Sequence, residues 1–142
     1  MTEKTQVMET WFSRVWSQED ETAIDQMLVS DTTARGLGSQ NHVGPAEFKA
    51  FQRALLGLVG NVRIDAKKTM EDGDWLSALV VFNGTRRDNG KPVSMTGHVL
   101  AMIVDGKIVD AHNHFDWMGL FEQCDLLPAK SFERCLSCQK IG

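Results

Sequence analysis

The sequence predicts an α+β fold on three observations. Helical periodicity is confined to roughly the first 60 residues, strand-like runs occupy residues 61–116, and turn dipeptides separate those runs at hairpin spacing. Helices first and strands afterwards place the helices on one face of a mostly antiparallel sheet. The chain has 142 residues, 42% of them hydrophobic and 24% charged, which suits one core rather than two. A chain of this size buries roughly 70% of its extended surface, so stability requires neither a disulfide nor a metal. The expected organisation is a single domain over residues 1–128 and a C-terminal tail over 129–142.

The first helix spans about residues 3–17, where Met8, Trp11, Phe12, Val15 and Trp16 form one apolar stripe. "QEDETAIDQML" follows as a short second helix, with acidic residues at the positive end of its dipole and Ile24, Met27 and Leu28 on one side. "TTARGL" reads as a brief strand and "GSQNHVG" as a loop. Pro45 then opens a third helix, because at the first helical position the N–H that proline lacks would make no intrahelical bond. Phe48, Phe51, Leu55 and Leu58 repeat with helical period up to about Gly60. Four strands in meander order come next, separated by "DGD", "RDNGK" and "DG". "WMGLFEQC" makes one or two closing helical turns, and the tail after it carries no firm assignment.

The formal charge of −4 and the scattered Lys and Arg leave phosphate-backbone binding little to work with. No apolar run approaches the roughly 20 residues that span a bilayer, and "MTEKTQVMETWFSRVW" has no apolar core of a secretory signal. The expectation is a cytoplasmic protein without nucleic-acid or membrane partners. Cys124, Cys135 and Cys138 are an odd number and read as free thiols, since "CLSC" supplies only half of a structural zinc site.

Chemistry concentrates in "DAHNHFD", residues 110–116, where Asp110, His112, His114 and Asp116 recur at every second position. Asp105-Gly106 is a type I′ hairpin signal. In a regular ladder from that turn, Asp110 lies opposite Ala101, His112 opposite Val99, His114 opposite Gly97 and Asp116 opposite Met95. The polar groups then share a face with small and apolar residues, as inside a cleft. A β-bulge anywhere in the pair would swap the faces beyond it and bring His98 to the cleft side. The plainer alternatives are an exposed Asp110, hydrogen-bonded structural histidines at 112 and 114, and an Asp116 that caps the next helix.

"HNHFD" also matches the H-x-H-x-D string of metallo-β-lactamase-like hydrolases and the composition of a two-His, one-carboxylate iron triad. In an extended strand Asp116 stands about 6.6 Å beyond His114. No His follows Asp116 anywhere downstream. We expect no metal.

The element order, together with Asp105, Gly106, Lys107, Ile108, Asp110, Asp116, Leu120 and Gln123 in "DGKIVDAHNHFDWMGLFEQC", resembles the SnoaL-like polyketide cyclases of the nuclear transport factor 2-like superfamily. The resemblance covers about residues 5–128. It implies a cone-shaped α+β barrel, three N-terminal helices against a curved sheet, a homodimer through the outer sheet face, and chemistry that needs no cofactor. It also implies that the Asp at position 116 is a general acid/base in an intramolecular aldol closure. His112 replaces a frequent Trp, and Cys124 replaces a Gly. "TTARGL" lacks the carboxylate base of the steroid isomerases.

Two functions follow. One is a cofactor-independent cyclase, isomerase or hydrolase acting on a small carbonyl compound. Asp116 exchanges the proton, and His114 or His112 donates to the enolate oxygen. The other is a non-catalytic module for small-ligand binding or dimerisation. Phe12, Trp16, Met27 and Trp75 are candidate cavity residues, His42 a candidate for its mouth, and His98 the residue that a bulge would add.

Overall fold

The computed structural model describes residues 2–142. Helix α1 (Glu3–Trp11) starts at Thr2, whose side chain accepts from the Thr5 N–H. It runs on without a break as a π-helical segment (Phe12–Ser17), closed by Gln18 N–H donating to Ser13 O at 2.9 Å. The wider turn keeps Trp11, Phe12, Val15 and Trp16 all buried. Helix α2 (Glu21–Met27) is capped by Asp20 and leads straight into β1 (Leu28–Arg35). That strand is longer than the brief one expected. The loop after it contains a two-residue strand, β2 (His42–Val43), before α3 (Gly44–Leu58) begins with Pro45 in its first turn.

Strands β3 (Val59–Asp72), β4 (Trp75–Arg86), β5 (Pro92–Val104) and β6 (Lys107–Phe115) form the expected meander. Helix α4 (Trp117–Gln123) follows, and the tail contains a further short helix, α5 (Ser131–Leu136). The six strands form one open sheet in the order β2-β1-β6-β5-β4-β3, antiparallel except where β1 runs parallel to β6. Helix α3 packs on β1 and the π segment on β3, so the helices and the core lie on one sheet face.

The β5–β6 hairpin turns on Asp105 and Gly106, both at positive φ, as the turn chemistry requires. Its ladder is not regular. Ile103 pairs with Ile108 but Met102 pairs with Asp110, which leaves Val109 as the extra residue of a bulge. Beyond it every residue of β6 has the opposite face from the one that a regular ladder assigns. His112 lies opposite Leu100 and His114 opposite His98, while Asn113 lies opposite Val99 and Phe115 opposite Gly97. Thr32 holds the bulge from the neighbouring strand: its hydroxyl donates to Ile108 O at 2.7 Å and accepts from the Val29 N–H.

Candidate active site

The helices and the inner sheet face enclose a chamber of about 60 Å³. Eight aromatic side chains line it: Trp11, Phe12, Trp16, Phe48, Phe51, Phe82, Phe115 and Trp117. They pack edge to face, with Trp11 and Phe48 centroids 5.1 Å apart and Phe51 and Trp117 centroids 6.2 Å apart at 87°. Aliphatic and thioether groups fill the rest, and no Asp, Glu, His, Lys, Arg or Cys belongs to the lining. The polar side-chain groups are the Thr32 hydroxyl, the Asn113 amide and the indole N–H groups.

Next to the chamber lies an apolar groove of about 340 Å³ between α3 and α4. Leu37, Phe51, Leu55 and Trp117 border both spaces, so these side chains form the partition between them. Backbone detail places the β6 end of the lining. The Phe115 ring lies over Gly97, where a Cβ would be 2.1 Å from it. Gly36, at φ +85°, brings its backbone so close to Asn113 that a Cβ would stand 1.7 Å from Asn113 O. Asn113 Nδ2 donates to Arg35 O at 3.0 Å, and Trp117 Nε1 lies 3.4 Å from Gly36 O. The turn after β1 therefore fixes both residues.

Of the residues singled out in the sequence, Phe12 and Trp16 line the chamber. His112 and His114 do not, because the bulge turns them to the outer sheet face. His112 there lies 6.2 Å from Trp75, and His114 is exposed beside its cross-strand partner His98. His98 is on that same outer face, bonded to Ser77 Oγ at 2.6 Å, so the bulge does not bring it to the chamber. Trp75 is also outside the lining, at the end of β4 on the outer face. Met27 is buried in the core without reaching the chamber. His42 bonds Leu37 O at 2.8 Å through Nε2 and packs on Phe51, behind the wall rather than at an opening.

Asp116 is exposed, and its Oδ1 accepts from the Gly119 N–H at 3.0 Å as the cap of α4. No imidazole partners it. Asp110 meets Arg35 in an ion pair across β1 and β6, also outside the chamber. Among the described residues, no group of three His, Cys, Asp or Glu is placed to hold a metal ion. Nor, among the described residues, is any helix long and apolar enough to cross a membrane.

The reading from sequence missed Asn113, Phe115 and Trp117, as well as Trp11, Phe48 and Phe51 as chamber walls. The first two are the alternate residues of the same string, and only the register hid them. One sequence signal was available: a regular ladder forces Asp110 unpaired into an apolar face, a cost that a bulge removes.

Comparison with known proteins fits this architecture. A Bacillus cereus protein described as a polyketide cyclase superposes with a TM-score of 0.77 at 22% identity, over 88% of this chain and 82% of that one. A Catenulispora acidiphila protein of ketosteroid isomerase-like fold, solved in complex with trimethylamine, gives 0.74 at 15%, over 85% and 93%. An LEH-like epoxide hydrolase of Mycobacterium tuberculosis gives 0.69 at 16%, over 96% and 97%. At these identities the likeness is one of fold. No curated protein matches the chain by sequence. The sequence profile of the SnoaL-like polyketide cyclases matches residues 6–124, and the chain belongs to that family.

Proposed function

We propose that this protein binds a small, flat, largely apolar molecule in the aromatic chamber. The observation that carries this reading is the lining itself, with eight aromatic rings and no ionisable side chain. Aromatic walls give an apolar ligand large contact area at little entropic cost, and concave apolar sites of this kind are where small molecules bind. At about 60 Å³ the chamber is smaller than the roughly 150 Å³ that benzene occupies in an apolar cavity, so the reading requires Phe51 and Trp117 to part and open it to the adjoining groove of about 340 Å³. A fold neighbour solved with a small organic amine supports the use of this architecture for ligand capture.

The test is thermal. A ligand that binds only the folded chain raises Tm with concentration. Toluene should raise Tm saturably, and Ala101→Leu, which fills the chamber from the sheet side, should abolish the effect. No rise with toluene, or an equal rise in the variant, would overturn the reading.

Turnover is a second reading, favoured by family membership and by the position of Asp116 between two chamber residues, Phe115 and Trp117. Asp116 would reach a ligand only by leaving its cap on Gly119. Asp116→Asn keeps a capping side chain while removing the base. Activity on a small carbonyl compound should then fall by at least a hundredfold with toluene binding unchanged, whereas undiminished activity removes Asp116 from the chemistry.

The partner on the outer sheet face is, on the same reading, a second copy. Leu79 and Met70 are 50% and 62% exposed there, beside half-buried Trp75, Val81, Leu100 and Met102. Sedimentation should give a dimer that Leu79→Lys converts to monomer.

A further inference from the structure

We infer that Asn113 selects the ligand of this chamber, and that it selects for a hydrogen-bond donor, such as the hydroxyl of a phenol-like molecule. This rests on the chamber being a ligand site. The Asn113 Nδ2 group donates to Arg35 O at 3.0 Å. A carbonyl can only accept, so this bond fixes which end of the amide is which. Oδ1 is left with no partner among the described residues, on a side chain that lines the chamber opposite Val99.

No other strong side-chain acceptor in the lining is free. The Thr32 hydroxyl is engaged twice, donating to Ile108 O and accepting from the Val29 N–H. Indole N–H groups only donate, and the Met8 and Met95 sulfurs accept weakly. Among backbone acceptors, Ile108 O is already taken by the Thr32 hydroxyl and Leu37 O by His42. A ligand donor entering this space therefore has Asn113 Oδ1 to go to. An anion meets that same oxygen and finds no Arg, Lys or His in the lining to balance its charge.

Gly36 keeps the acceptor in place, since any Cβ there would collide with Asn113 O. Binding a purely apolar ligand leaves Oδ1 dehydrated and unpaired, whereas a ligand hydroxyl restores the lost bond.

Phenol and toluene are near isosteres that differ in the donor, so their affinities for the wild-type protein read the effect directly. A chamber with no acceptor favours toluene, which has no hydroxyl to dehydrate. Wild type should bind phenol at least as tightly as toluene, and Asn113→Leu should shift the phenol-to-toluene ratio about tenfold toward toluene. Anisole, in which a methyl blocks the donor, keeps the test independent of whether the variant folds. Wild type should bind it about tenfold more weakly than phenol. Toluene binding with no phenol preference over anisole, or an unchanged ratio in Asn113→Leu, overturns the role of Asn113 and leaves the chamber as a ligand site. Failure of all three to bind overturns both.

Discussion

At Gly97 and Gly36 a missing side chain makes room for the site. The Phe115 ring occupies the space over Gly97 and so becomes a chamber wall. Gly97→Val should displace that ring, cost about 1–3 kcal/mol by overpacking, and weaken toluene binding. Denaturant unfolding and the thermal ligand assay check the two effects. Asp20 shows how charge is used at the same scale. Bonds from the Thr22 hydroxyl first and from Arg14 next hold its carboxyl down at about 2, against an ordinary 3.8. The fold therefore favours the charged form, and that contribution is fully present above the ordinary value and lost as pH falls through about 2. Asp20→Asn keeps the cap on α2 without the charge. It should lower Tm at neutral pH, with the gap to wild type closing as pH drops from about 4 to 2. A gap that is constant with pH would remove the charge from the explanation.

Among the elements, the bulge in β6 decides what the chamber is made of. With Val109 as the extra residue, Ala111, Asn113 and Phe115 face the core, while Asp110, His112 and His114 face outward. Deleting Val109 would make the ladder regular while leaving Ile108 opposite Ile103 and Asp110 opposite Met102, so Ala111, Asn113 and Phe115 would keep the core face. The variant should therefore still unfold cooperatively and still bind toluene, and loss of both would show that Val109 is not simply the extra residue of the strand. Thr32→Val tests the bond that holds the bulge, at about 1–3 kcal/mol for leaving Ile108 O and the Val29 N–H unpaired. This separates what was legible in the sequence from what was not. Helical stripes at Met8, Trp11 and Val15, Pro45 at a helix start and Asp105-Gly106 at a hairpin are signals read within a few residues, and the element order followed from them. The bulge is held by a threonine 76 residues away, on a strand that pairs in parallel with β6. Within "DAHNHFD" only the cost of burying Asp110 points to it. Arg35, the outward partner of Asp110, comes from the same distant strand. Fold class was therefore readable from periodicity, while the facing of the site was a tertiary property.

For the whole molecule, the sheet separates two chemistries. Its inner face and the helices make a chamber without ionisable groups, and three of the four histidines lie on its outer face, away from that chamber. The thiols divide in a similar way. Cys124 is buried, and burial pushes its thiol above the usual range, whereas Cys135 and Cys138 are exposed in the tail. A native sample should therefore take up two equivalents of an alkylating reagent promptly, and the third only on unfolding, as mass spectrometry would count. The four tryptophans sort by the same division. Trp11, Trp16 and Trp117 line the chamber, and Trp75 lies on the outer face near His112. The most direct test of the account is a phenol titration followed by the four indole N–H signals in a ¹⁵N-resolved NMR spectrum. The signals of Trp11, Trp16 and Trp117 should move together along one saturable isotherm while that of Trp75 stays still. Movement of Trp75 with the other three unmoved would put the ligand on the outer face, among the histidines, and contradict the account.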